Sequence, residues 1–336
     1  QHQHLDAGAL LAVGAVGPSG VLLDSNRTGD NPVKQAQPQP AAAGDARPIL
    51  IVGHIRSGTK WLSNLLCNHP QIAGVQSERT GGIVETNMFH RMQTKFDLRA
   101  ADDYVGFIEL WRHTEFVRAS GLDVSFLYDL DPRPQTFTQI FDTVMRRYAS
   151  QRQATYWLQK CGPDIAEWLK DDLRSPKLVL IARDELAVAR SIRHMSRNRS
   201  GQFSLLKALP EIVHSQRRTR RLAASPDTVL VTYEELKEDT AASLEKICDF
   251  LEVDFDPSML EVSFSRNTSF SAGSTAATRP PDSRLETATV AALRALPMAV
   301  LRQVLRLKKP KSLPRPFVSG TFSSMKEKLA DRKDYY

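Results

Sequence analysis

Between Pro48 and Pro70 the chain spells out one complete unit: an apolar strand, a glycine turn and a helix. Ile49-Leu-Ile-Val52 is a short apolar run without polar alternation, closed by Gly53. A strand that is apolar on both faces needs cover on both sides, so it belongs inside a parallel sheet. His54-Ile-Arg-Ser-Gly-Thr59 is a polar turn, and from Thr59 the spacing of Trp61, Leu62, Leu65 and Leu66 predicts a helix with one apolar face. Asn68-His-Pro70 stops it. Such a unit aims successive backbone N–H groups and the positive end of a helix dipole at one spot. Arg56, Ser57, Thr59 and Lys60 add four side-chain donors around Gly58. The plain alternative is a surface turn with a few charges. Four donors converging within five residues favour a cradle for phosphate or sulfate.

The rest of the chain supplies the sheet. Strands are expected at Thr155–Gln159, Lys177–Ala182 and Thr228–Thr232. Helices are expected after Asp184, with Val188, Ile192 and Met195 on one face, over Leu205–Ala224, and over Thr240–Leu251. Residues 72–150 read as mostly helical, broken at Pro132 and Pro134. Strands alternating with helices imply a parallel sheet covered on both faces. Residues 1–47 are rich in Ala, Gly, Gln and Pro and read as a mobile lead-in. Within it, Ala7–Leu23 is apolar but too short and too interrupted by Gly and Pro to span a membrane. The expected organisation is a lead-in (1–47), one α/β domain (48–300) and a basic C-terminal tail (301–336).

Charge and cysteines exclude several classes. The formal balance is +7, from 45 Lys+Arg against 38 Asp+Glu. From Arg302 to Tyr336 there are ten Lys/Arg and three Asp/Glu, which leaves 35 of each sign in the first 301 residues. A neutral body does not present the basic face that nucleic acid requires, so no nucleic-acid partner is expected. The tail could touch a membrane or another anionic surface, although a solvated tail is the commoner meaning of such a run. Cys67, Cys161 and Cys248 are far apart and read as buried free thiols, and no histidine pattern marks a metal site.

The nature of the anion follows from the spacing. Gly53 and Gly58 stand as in a Walker A loop, but Thr59 occupies the lysine position and Lys60 comes one residue late. After the strand Lys177–Ala182, Arg183 precedes Asp184, which suits an anion better than a magnesium ion. The segment Gly53-His-Ile-Arg-Ser-Gly-Thr-Lys-Trp-Leu62 resembles the 5′-phosphosulfate loop of sulfotransferases that use 3′-phosphoadenosine 5′-phosphosulfate (PAPS). Leu178-Val-Leu-Ile-Ala-Arg183-Asp184 followed by Ser191 resembles their 3′-phosphate site. His69-Pro70 leading to Glu78, Lys160-Cys-Gly-Pro163, and Val231-Thr-Tyr-Glu-Glu-Leu236 with Phe250-Leu251 resemble further segments. The resemblance runs from about Pro48 to Val253 and is closer to the carbohydrate, tyrosylprotein and bacterial Arg-Ser-Gly-Thr type than to the cytosolic Lys-Ser-Gly-Thr type. Lys60 and Glu185 depart from the family pattern, and no clean Arg-Lys-Gly cofactor loop follows; Arg266 and Arg279 are candidates for it.

The resemblance implies a P-loop NTPase-like three-layer sandwich around a mainly parallel sheet. It implies sulfuryl transfer from PAPS to a hydroxyl or amine acceptor, with no metal. Ser57, Gly58, Thr59 and Lys60 would bind the 5′-phosphosulfate, and Arg56 or Lys60 would neutralise the leaving oxygen. Lys160 would reach the sulfuryl group, Arg183 and Ser191 would hold the 3′-phosphate, and Trp61 and Tyr233 would lie near the adenine. Glu78 is the expected base, with His113 and His90 as rivals. A P-loop kinase or NTPase, and a non-catalytic anion-binding relative, are the competing readings. The acceptor, a small molecule or a carbohydrate, is not readable, nor are O- against N-transfer and the oligomeric state. Sequons at Asn26, Asn198 and Asn267 favour a secretory lumen. Against that, Asn198 lies close to Ser191, where a glycan would crowd the cofactor; the Golgi lumen and a bacterial cytoplasm both stay open.

Overall fold

The computed structural model describes residues 45–86, 88–89, 92–197, 205–261, 264 and 284–307. In chain order the elements are β1 (Arg47–Val52), α1 (Thr59–Leu66), β2 (Ile72–Gly74), β3 (Gln76–Ser77), β4 (Gly82–Ile83), α2 (Ala101–Trp111), α3 (Glu115–Ser120) and α4 (Phe137–Gln151). There follow β5 (Tyr156–Cys161), α5 (Pro163–Asp172), β6 (Lys177–Ala182), α6 (Glu185–Arg197), α7 (Leu205–Leu222), β7 (Thr228–Thr232), α8 (Tyr233–Glu238), α9 (Thr240–Leu251), α10 (Arg284–Ala295) and α11 (Met298–Leu307).

Five parallel strands form the main sheet in the order β2-β5-β1-β6-β7, and β3 and β4 form a separate antiparallel pair. The apolar runs explain why β1 and β6 are interior. Successive side chains on a strand point to opposite faces. Leu50, Val52, Leu178 and Leu180 enter one core together with Trp157 of β5 and Phe141 and Val144 of α4. Ile49, Ile51, Val179 and Ile181 enter the other, with Leu62, Leu65 and Leu66 of α1 and Leu244, Ile247 and Leu251 of α9. All four of Ile49–Val52 are completely buried, each worth about 1.5–3 kcal/mol of transfer free energy. Two cores, one on each face, make the three-layer sandwich expected of a P-loop-like chain. From β1 the chain passes to β2 and β5 on one side, then to β6 and β7 on the other. That change of direction opens a crevice at the carboxyl ends of the central strands.

Three features differ from expectation. The segment 72–150 does not begin as helix: β2 adds an edge strand to the sheet and β3–β4 form a small hairpin before α2. Ile72-Ala-Gly74 is too short to show a period, and its pairing with Tyr156–Leu158 holds it as strand. The strand expected at Thr155–Gln159 lies at Tyr156–Cys161, so Lys160 is a strand residue paired with Ile51. The boundary drawn at 300/301 falls inside α11, where Leu301 is fully buried among Val188, Ile212, Val213 and Val290 of α6, α7 and α10. The break at Pro132 and Pro134 is as expected: α4 begins behind a Thr136–Gln139 capping box.

Glu185 explains part of that third cluster. The carboxylate is fully buried and accepts hydrogen bonds from Arg220 of α7 and Arg294 of α10. Burial alone would raise this carboxyl, but the Arg294 bond, its own backbone N–H and Arg220 outweigh burial and hold it below its ordinary range. The three cysteines are free. Burial pushes the Cys67 thiol up to about 12 and Cys248 up to about 11. Among the described residues no single helix is long and apolar enough to cross a membrane.

Because Leu301 sits in the core, Leu301→Ala is expected to cost about 2–5 kcal/mol in urea unfolding. Arg302→Ala, on the exposed side of the same helix, should stay within about 0.5 kcal/mol. Equal effects would show that α11 adds nothing to the fold.

Candidate functional site

The crevice is floored by the loop from Gly53 to Thr59. Gly53 is there because backbone is close: a Cβ would lie 2.7 Å from the Ile181 carbonyl oxygen. Gly58 is required twice over. Its φ is +97°, and a Cβ would lie 2.6 Å from Cδ2 of Tyr233. This left-handed residue is the N-cap of α1, and it carries no side chain to cap the helix. No acidic residue lies in the first turn. The orphan N–H groups and the dipole of α1 therefore face the crevice without an internal anion, as an anion cradle requires.

Buried polar contacts hold the loop rigid. Ser57 is completely buried, and its hydroxyl accepts a 2.9 Å bond from Nε2 of Gln216 on α7. The Gln216 carbonyl oxygen accepts from the Arg183 backbone N–H at 3.3 Å. One fully buried side chain thus ties the loop after β1 to the loop after β6. Gln216 carries no motif; it lies on the buried face of α7 between Val213 and Thr219.

Arg56, Arg183, Ser191, Tyr233 and Trp61 come together, in an arrangement that differs from the simple assignment. Arg56 adopts φ 70°, and its Nε donates to the Ser191 hydroxyl at 2.9 Å. Arg183 donates to the Arg56 carbonyl at 2.8 Å, and its guanidinium carbon lies 3.9 Å from the centre of the Tyr233 ring. Tyr233 packs against Gly58 and meets Trp61 edge-on at 5.8 Å. Ser191 thus bonds Arg56, the residue expected at the leaving oxygen, and Arg56 turns toward the Arg183 side of the crevice. Burial, and then the charge of Arg183, push the Arg56 pKa down, so an anion at this place would relieve both.

The second cationic group is Lys60 and Lys160. Lys160 projects from the end of β5 and forms an ion pair with Glu85. Burial, then the charge of Lys160, lower the Lys60 pKa; Glu85 opposes this and Arg56 adds to it. The Lys60 ammonium also donates to the Thr80 carbonyl. One turn further along α1, Asn64 donates to the Gly81 carbonyl at 3.1 Å and accepts from the Ile83 N–H at 2.8 Å. Two residues at helical spacing i, i+4 thus grip the β3–β4 connection. Glu78 opens the 3-10 turn of that connection, exposed, two residues before the carbonyl that Lys60 holds.

Other candidates lie elsewhere. His113 is exposed at the end of α2, close enough to Glu109 to act on its charge. His69 is a staple: its Nε2 bonds the Asp254 carbonyl at 2.9 Å, and its Nδ1 accepts from the Gln71 N–H at 3.1 Å. His90, Arg266, Arg279 and the three sequon asparagines lie outside the described residues. Glu85 belongs to no motif. Among the described residues no group of three or more His, Cys, Asp or Glu could hold a metal ion.

His54 gives the loop a pH dependence. It is buried, with Nδ1 2.7 Å from the Ile55 carbonyl oxygen, to which it donates. Burial lowers its pKa below 6.5, against the backbone bond and the charge of Glu211. A base whose folded pKa is depressed leaves the unfolded chain binding the extra proton, so stability falls as pH drops below about 6.5 toward the folded value. Asn can keep the bond to Ile55 without titrating. The Tm advantage of wild type over His54→Asn should therefore shrink between about pH 7.5 and pH 5. A constant difference would show that His54 does not titrate with unfolding.

Residues 48–257 match the model of the Sulfotransferase family. Similar solved structures include the sulfotransferase domain from the curacin biosynthetic pathway, 15% identical, covering 87% of this chain and 98% of that one with a TM-score of 0.43. The sulfotransferase domain of the Synechococcus PCC 7002 olefin synthase is 18% identical and covers 82% and 100%, with a TM-score of 0.40. Mouse sulfotransferase SULT7A1 complexed with PAP is 17% identical and covers 87% and 90%, with a TM-score of 0.35. No curated protein matches the chain. The family match spans more than half of the sequence and contains every strand of the main sheet from Pro48 onward, and on that basis the chain belongs to the sulfotransferase family.

Proposed function

We propose that this protein moves a sulfuryl group from PAPS to a hydroxyl or amine of a small-molecule or carbohydrate acceptor, leaving 3′-phosphoadenosine 5′-phosphate (PAP). The observation that carries the reading is the uncapped N-terminus of α1, set between two cationic groups at the carboxyl ends of the central strands. One group is Arg56 with Arg183, and the other is Lys60 with Lys160. Lys160 and Arg183 come from the strands on either side of β1, so a ligand with anionic charge at more than one place fits this better than a single phosphate.

Bound there, PAPS supplies a sulfuryl group that is already activated, and the protein's task is positioning and charge stabilisation. The amides of Ser57, Gly58, Thr59 and Lys60 hold the 5′-phosphosulfate. Lys60 and Lys160 reach the oxygens of the transferring sulfuryl group, and the amides at the start of α1 take the charge that grows on the oxygen that leaves. Arg183, with Ser191 and Arg56, takes the 3′-phosphate through the fork of its guanidinium. Tyr233 and Trp61 flank the adenine. As the acceptor oxygen or nitrogen bonds to sulfur and the bridging S–O bond breaks, the acceptor's proton passes to Glu78.

Calorimetric titration should show PAP binding without magnesium, and no preference for magnesium–ATP. Binding of magnesium–ATP with none of PAP would instead favour a kinase or NTPase. Arg183→Ala should weaken PAP by about 10–100-fold more than its 3′-dephospho form, the worth of a charged hydrogen-bond pair. Equal losses would remove Arg183 from the 3′-phosphate.

Glu78→Gln should lower turnover by about 100-fold or more with PAP affinity nearly unchanged. Unchanged turnover would move the base to another residue.

A further inference from the structure

Glu85 is placed by backbone that is pinned from two sides. The Val84 N–H donates to the Val75 carbonyl at 2.8 Å, and the Val84 carbonyl accepts from the buried Gln159 side chain at 3.3 Å. Gln159 immediately precedes Lys160 on β5. Glu85 therefore meets Lys160 because the sheet delivers both, and the contact is not a chance meeting of two long surface side chains. Burial is unequal across the pair: 12% of the Lys160 side chain is exposed, against 58% for Glu85. The same carboxylate acts on Lys60, whose charge is otherwise opposed by burial, Lys160 and Arg56.

We propose that Glu85 is a built-in counter-ion for Lys60 and Lys160, and that it competes with the transferable group of the sulfuryl donor for their ammonium groups. The inference rests on the PAPS-dependent reading above. Two lysines held close in a half-buried place repel each other and lose hydration, and an internal carboxylate offsets both effects. It opposes what burial and the charge of Lys160 do to the Lys60 ammonium. When the donor brings its own anionic group, Glu85 gives way at little cost, because more than half of its side chain already reaches water. Lys160, held along its stem, stays in place. No covalent bond changes in this exchange. Glu85 is thus a positioning residue that sets the preference between donor and product. PAPS carries a group for the lysines and must displace the carboxylate, whereas PAP lacks the sulfuryl group and leaves the pair largely intact.

The test is calorimetric titration of PAPS and PAP, without acceptor, into wild type, Glu85→Gln and Glu85→Asp. Glu85→Gln is expected to bind PAPS about fivefold more tightly than wild type, the worth of one partly exposed ion pair. PAP affinity should change less than about twofold, and Glu85→Asp, which keeps the charge, should retain the wild-type ratio. In a Lys160→Ala background the Glu85→Gln gain should shrink, because only Lys60 is left to compete for. A residue with a merely structural role would weaken both nucleotides when replaced. Unchanged or weaker PAPS binding by Glu85→Gln overturns the counter-ion role while leaving the sulfotransferase reading intact. Wild type that binds neither nucleotide overturns both.

Discussion

The left-handed turn at Gly58 places the first turn of α1 behind the carboxyl end of the central strand, with no side chain over it. A helix start is rich in unsatisfied N–H groups, and proteins normally answer them with a Ser, Thr, Asp or Asn cap. In this chain the surroundings are built so that they remain available. Tyr233 fills the space where a side chain at position 58 would stand, and Gln216 takes the Ser57 hydroxyl. The loop is thus held by packing and buried hydrogen bonds from α7 and α8.

Charge is arranged in two tiers. Near the crevice, burial and then the crowding of Arg56, Arg183, Lys60 and Lys160 lower the pKa of Arg56 and Lys60. Away from it, Arg220 and Arg294 are drawn onto the buried Glu185 carboxylate. That position is a departure from the family pattern, and the structure gives it a purpose: one buried charge joins the starts of α6, the end of α7 and α10 into a single arrangement. Buried ion pairs seldom add much stability, because desolvation consumes the Coulombic gain. Their geometry does define which helices meet, and α6 is the helix that carries Ser191.

Much of this was legible in the residues. Continuous apolar runs marked β1, β6 and β7 at the observed places, and the 3.6-residue spacing of Leu244, Ile247, Cys248 and Leu251 marked α9. The loop residues Arg56–Trp61 and the pair Arg183 and Ser191 were singled out by their order along the chain, and the fold sets Arg56 against both Arg183 and Ser191. β2 escaped because three residues cannot display a period, and pairing with a partner some eighty residues away decides it. Gln216 and Glu85 escaped for the same reason. A glutamine on a helix and a glutamate on a loop have no local pattern, and their meaning comes from Ser57 and Lys160, which are distant in sequence.

The amino-acid sequence by itself determined the strand–turn–helix cradle, the parallel sheet and the family, because each rests on short-range spacing of apolar, glycine and basic residues. Tertiary structure decided how the basic residues are grouped. Arg56 turns to Ser191 and Arg183, while Lys160 pairs with Glu85 and Lys60 with the Thr80 carbonyl. Tertiary structure also decided that Leu301 belongs to the core and not to a tail. Side-chain direction and burial depend on which strand lies beside which, and that register is set by the packing of the whole sheet rather than by any one segment.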